Sequence, residues 1–113
     1  MNIDGEGKRI RVYLGESDRL GKTTLYEAIV REARNSGIAG ATVLRGMMGY
    51  GANSRIHTAK ILRLSDDLPI LVEIVDRTDR IDAFLPKLDA MLRDGLVTVE
   101  PIHIHTYRHS NTD

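Results

Sequence analysis

Twice along this chain of 113 residues the apolar pattern runs strand, helix, strand, and no other feature narrows the fold as far. In the first half, Ile10, Val12 and Leu14 alternate with Arg9, Arg11 and Tyr13, which predicts a half-buried strand over Lys8–Gly15. A polar loop over Gly15–Gly21 follows. Leu25, Ala28, Ile29 and Ala33 then recur at helical spacing within Thr23–Asn35, and Gly37 and Gly40 bracket the end of that helix. Ala41–Met48 is rich in β-branched and long apolar residues and reads as a second strand. After a glycine-rich, polar middle the order repeats. Asp66–Pro69 is a turn, and Ile70–Val75 is the most apolar strand, interrupted only by Glu73. Thr78–Asp94 carries the stripe Ile81, Phe84, Leu85, Leu88 and Leu92, with Thr78 or Asp79 expected as N-cap, a kink or late start expected at Pro86, and Gly95 as the stop. Leu96–Tyr107 is the last strand. Its alternation changes phase at Pro101, since Val97 and Val99 are odd and Ile102 and Ile104 even, which predicts a bulge there or an edge position. Lys60–Leu64 fits either a short strand or one helical turn, and residues 108–113 read as a frayed tail.

This order predicts an α+β, ferredoxin-like βαββαβ fold, an antiparallel four-stranded sheet with two helices on one face. The length suits a single domain over residues 1–113 with an ordered core at about 7–107. Lys and Arg total 16 and Asp and Glu total 16, so there is no net charge to draw the chain to nucleic acid or an anionic membrane. The absence of cysteine excludes disulfides and thiolate metal sites. No apolar run approaches the roughly 20 residues of a membrane span. The polar, acidic start Met1–Gly7 lacks the apolar core of a signal peptide, so a cytoplasmic location is the expectation.

Few segments offer chemistry. Gly15–Thr23 sits between strand and helix as a phosphate-binding loop does, but five residues separate Gly15 and Gly21 where that motif needs four, and Glu16 and Asp18 repel phosphate. Gly46-Met47-Met48-Gly49-Tyr50-Gly51 is more informative. Glycines let backbone amides approach an anion, and Arg45, Ser54, Arg55 and His57 lie beside them as further donors. A plain flexible loop explains the same composition equally well. His103 and His105 share a strand face and can offer two imidazoles to a metal, but with Glu100 on the opposite face no third ligand accompanies them. Glu73 is either a buried acid or an open-face partner for an arginine. Ser54 and His57 have no orienting third group, so no catalytic residue is expected and the chain does not read as an enzyme.

The runs GESDRLGKTTLYEAIV, GIAGATVLRGMMGYGANSRIHTAKILRLSDDLPILVEIVD and DGLVTVE resemble an uncharacterised family of PII-like proteins, relatives of the nitrogen-regulatory PII superfamily whose members often occur near fluoride-exporter genes. The resemblance covers about residues 5–107. It implies a homotrimer of ferredoxin-like subunits whose sheets pack together, with an adenine nucleotide (AMP, ADP or ATP) as ligand, not cofactor, in each cleft between subunits. Carried onto this chain, the nucleotide-binding segments are Arg45–His57, with Arg45, Gly46, Gly49, Gly51, Ser54, Arg55 and His57, and the turn Asp94–Thr98, with Gly95, Leu96, Val97 and Thr98. A neighbouring subunit adds residues near His105 and Arg108. The loop at 50–60 then presents Tyr50, Ile56 or His57 to a regulated partner such as a membrane transporter. The copper-tolerance proteins share this trimeric fold, so a divalent-metal protein is the alternative that the resemblance leaves open.

Overall fold

A computed structural model describes the backbone of residues 2–51 and 67–110, and side chains from residue 5 onward. The elements are β1 (Asn2–Gly15), β2 (Arg19–Leu20), β3 (Thr23–Thr24), α1 (Leu25–Asn35), β4 (Gly40–Arg45), β5 (Pro69–Arg77), α2 (Thr78–Met91) and β6 (Leu96–Arg108). Four strands form one sheet in the order β4-β5-β1-β6, with every neighbouring pair antiparallel. This is the ferredoxin-like α+β arrangement that the doubled periodicity predicts. Strands β2 and β3 form a separate two-stranded ribbon.

Alternation sorts the two faces of the sheet. Ile10, Val12 and Leu14 stand opposite Ile74, Val72 and Ile70, and all six are buried beneath the helices. Helix α1 adds Leu25, Ile29 and Ala33, and α2 adds Ile81, Phe84 and Leu88. Asp76 continues the inward phase of β5 and is fully buried. Its carboxylate accepts the Ala39 N–H at 2.8 Å and the Arg77 N–H at 2.6 Å, which ties the approach to β4 to the junction of β5 and α2.

The opposite face carries charge at its centre. Arg9 donates through Nε to Glu100 at 2.9 Å, Arg11 donates through Nε to Glu73 at 3.1 Å, and Arg11 also lies 3.7 Å from Glu100. Glu73 is therefore an open-face carboxylate paired with an arginine. The hydrogen bond from Arg9 holds the Glu100 carboxyl below its ordinary range; desolvation opposes this, and the charges of Arg9 and Arg11 add to it. A folded pKa below the unfolded one contributes stability that is fully present above the unfolded value, about 4.3 for glutamate, and is lost as pH falls through the folded value. The melting temperature is thus expected to fall with acid below about pH 4, and Glu100→Gln to make that fall shallower. Identical acid profiles for variant and parent would rule out this role.

Several boundaries differ from the periodicity for definite reasons. Strand β1 begins at Asn2 because β6 runs on to Arg108 and supplies partners for the polar first residues. Helix α1 begins at Leu25, since Thr23 and Thr24 pair with Leu20 and Arg19. The segment Gly15–Thr23 is thus a turn and ribbon, not a phosphate loop. Strand β4 stops at Arg45, short of Met48: Gly46 donates its N–H to the Pro69 carbonyl at 2.7 Å, and Pro69 has no N–H to extend the ladder. The N-cap of α2 is Arg77, not Thr78 or Asp79, because β5 passes into the helix without a linker. The helix runs through the exposed Pro86 and ends at Met91, ahead of Asp94, where Leu92 turns extended.

The phase change in β6 has no bulge at Pro101. The register is continuous through Lys8↔Pro101 and Gly7↔Ile102, and the shift falls between Ile3 and Gly5. Strand β6 is an edge strand, as the alternative expectation had it. The two isoleucines stand opposite glycines, Gly7 and Gly5. A Cβ on Gly7 would lie 2.6 Å from Ile104 Cδ1 and 2.6 Å from the Asp76 carbonyl oxygen, so the missing side chain is what lets Ile104 lie down and become buried. Lys60–Leu64 lies outside the described residues.

Candidate functional site

Strand β1 ends where β5 and β6 begin, because it pairs antiparallel with both: Tyr13 stands between Leu71 and Leu96. A cleft of about 460 Å³ opens at this end of the sheet. Tyr13–Gly15 and Asp18 line it from β1 and the following turn, Gly49–Gly51 from the segment after β4, Asp67 and Pro69 from the start of β5, and Gly95 and Leu96 from the start of β6. The turn before β6 closes onto β1 only with glycine. Gly95 has φ +130°, and a Cβ there would fall 2.9 Å from the Tyr13 carbonyl oxygen.

Backbone donors fix the acidic side of the cleft. Asp67 Oδ1 accepts the Ser17 N–H at 2.8 Å and the Ser17 hydroxyl at 2.7 Å. Glu16 donates its N–H to the Leu68 carbonyl at 2.9 Å, and Asp18 accepts the Gly15 N–H at 3.0 Å. Asp67 itself has φ 25°, uncommon for a residue other than glycine. Arg45 forms an ion pair with Glu16 at 3.3 Å. The cleft therefore offers an apolar wall of Tyr13, Leu14, Pro69 and Leu96, glycine backbone beside it, and two carboxylates held in place. That combination suits a flat, mostly apolar ring bearing hydroxyl or amine donors, and the volume lies within the roughly 300–1,000 Å³ of small-molecule sites.

The fold brings together the two segments expected to meet. Gly49, Gly51, Gly95 and Leu96 all line the cleft. Arg45 and Gly46 sit at the end of β4, the first engaged by Glu16 and the second by Pro69. Val97 stands opposite Val12 and packs against the core, so its side chain is turned away from the cleft. Thr98 stands opposite Arg11 on the open face. His105 and Arg108 lie toward the far end of β6, roughly 30 Å and roughly 40 Å along the strand from Leu96 at the usual rise per residue. Within one chain they do not reach the cleft. Ser54, Arg55, His57 and most of the 50–60 loop lie outside the described residues. His103 and His105 are exposed, and among the described residues no three His, Asp or Glu side chains converge on a metal position. Tyr13, Leu14, Gly15, Asp18, Asp67 and Pro69 also line the cleft, and none of them was among the nucleotide-binding positions that the resemblance implies. Tyr13 carried one signal, an aromatic ring on the polar phase of β1.

The model of the family DUF190, described as Uncharacterized ACR, COG1993, matches residues 7–104. A UPF0166 protein of Methanocaldococcus jannaschii is 34% identical over 101 residues, covering 88% of this chain and 93% of its own. A UPF0166 protein of Aquifex aeolicus is 31% identical over 97 residues, covering 86% and 91%. Among solved structures, a candidate PII-like signaling protein of Thermus thermophilus superposes with a TM-score of 0.61 at 18% identity, covering 91% of this chain and 94% of that one. CPII of Thiomonas intermedia, in a structure bound to ADP and bicarbonate, superposes with a TM-score of 0.56 at 18% identity, covering 88% of each chain. At these identities the structural likeness establishes the PII-like fold. No helix among the described residues is long and apolar enough to cross a membrane.

Proposed function

The chain belongs to the DUF190 (UPF0166) family, and from that membership and its PII-like fold we propose that it is a non-enzymatic signalling protein that binds an adenine nucleotide in the cleft between Tyr13, Gly49–Gly51 and Gly95. The observation that carries this reading is the meeting of Gly49–Gly51 with Gly95–Leu96 at one end of the sheet, beside the apolar wall of a cleft of about 460 Å³. CPII, with the same fold, binds ADP in one structure and ADP with AMP in another. The protein acts as a homotrimer, in which a neighbouring subunit's β6 brings His105 and Arg108 to the phosphate side of the cleft. Nucleotide binding then biases the loop at 50–60, which contacts the regulated partner, for instance a membrane transporter. The bias requires different affinities of the ligand for two loop states. The protein is expected to work in the cytoplasm.

The test is thermal melting with mass by light scattering against AMP, ADP, ATP and cyclic nucleotides. A ligand at 100 times its Kd stabilises the folded state by about 2.7 kcal/mol, a rise of several degrees. Gly95→Ala forces a side chain into the left-handed region and against the Tyr13 carbonyl, so this rise is expected to vanish while the trimer persists. A trimer whose melting point no adenine nucleotide moves would end the proposal.

A further inference from the structure

Resting on that reading of the cleft, we propose that Asp67 accepts the ribose hydroxyls of the nucleotide, so that the protein distinguishes ribonucleotides from their 2′-deoxy counterparts. Asp67 lines the cleft, and its position is determined by Ser17, whose N–H and hydroxyl both reach Oδ1. Among the described residues no donor reaches Oδ2. An ionised carboxylate accepts about four hydrogen bonds, so Asp67 keeps acceptor capacity in a cleft whose neighbouring wall is apolar. The parts of an adenine nucleotide differ in what they can offer such an acceptor. Phosphate repels it, and the faces of the base suit Tyr13 and Leu96. The sugar offers O–H donors.

Position favours the sugar over the amine of the base. A Cβ on Gly49 would lie 3.2 Å from Pro69 Cγ, so the glycine segment that would meet phosphate runs beside the start of β5, two residues from Asp67. The ribose is the part of the ligand adjacent to phosphate. A site built to bond a hydroxyl discriminates against an analogue lacking it, because its own polar group then goes unpaired.

Calorimetric titration of the intact protein with AMP and 2′-deoxy-AMP tests this, on the parent and on Asp67→Asn. The amide oxygen of Asn can still accept from Ser17, while its –NH₂ replaces the oxygen assigned to the sugar. The parent is expected to bind AMP about tenfold or more tightly than the deoxy form, as for a hydrogen bond to a charged group. In Asp67→Asn that ratio should fall toward one, chiefly through weaker AMP binding. Equal affinities in the parent would overturn the assignment. A variant that weakens both ligands by one factor would do so too, since it would make Asp67 only a clamp for the Ser17 turn. A parent that binds neither of these nor any other adenine nucleotide of the melting series would remove the proposed function and this inference together, an outcome distinct from both; where only ADP or ATP binds, the comparison is made with that nucleotide and its 2′-deoxy form.

Discussion

Replacing Phe84 by alanine is expected to remove about 3–5 kcal/mol of folding free energy, the usual cost of deleting a buried aromatic ring. Phe84 is the sole phenylalanine of the chain and, among the described residues, the largest fully buried side chain, 1% exposed, on the face of α2 that covers the sheet. The loss combines the transfer of the ring with the cavity left behind, because the strands beneath are held in their ladder and do not follow the helix inward. Against a total stability of about 5–15 kcal/mol this is a large fraction. Urea denaturation reads it as a lower midpoint with unchanged slope. A loss below about 1 kcal/mol would mean that α2 settles into the gap, and that the helix layer is softer than its packing implies.

The second large effect belongs to Asp76. Alanine there leaves the N–H groups of Ala39 and Arg77 without their acceptor, at about 1–3 kcal/mol for each that stays dry. Asp76→Ala should therefore cost about 2–6 kcal/mol, and Asp76→Asn less, since one amide oxygen remains to accept. Hydrogen exchange sharpens the result: the Ala39 amide should lose protection in the alanine variant even under conditions where the domain stays folded. An Ala39 amide that exchanges as slowly in the variant as in the parent would show that the carboxylate does not hold this junction.

The sequence showed the fold more fully than the site. The strand at Ile70–Val75 and the stripe on α2 stood out because each buries one unbroken set of apolar residues, and periodicity reports burial on a single face. It failed where burial changes face. Ile102 and Ile104 are covered on the side of the sheet away from the helices, against glycines near the start of the chain, and no local pattern contains that pairing. The glycines of the cleft were visible because glycine marks backbone that must pass close or turn sharply. Its side-chain walls were not. Pro69 and Asp67 read as turn residues, and they are; their proximity to Tyr13 follows from the long-range register of β1 with β5. Asp67 in particular is placed in the cleft wall by Ser17, a partner from the far side of the chain's glycine-rich middle that no local pattern announces.

The strand order also governs when the molecule can form. Strand β1 pairs with β5 and β6, and β4 pairs with β5 alone. No two strands of the main sheet are thus partners until the chain has been made as far as β5, which starts at Pro69, long after β1 is complete at Gly15. At roughly 5–20 residues per second of synthesis, the nascent β1 waits several seconds without a neighbour. Folding dominated by such distant pairings is intrinsically slow, and the unpaired edges are exposed to association in the interval. When β5 arrives it supplies the missing neighbour of both β1 and β4. Strand β6 follows, and Gly95 with it, so the cleft is completed only after the other three strands of this sheet have been made.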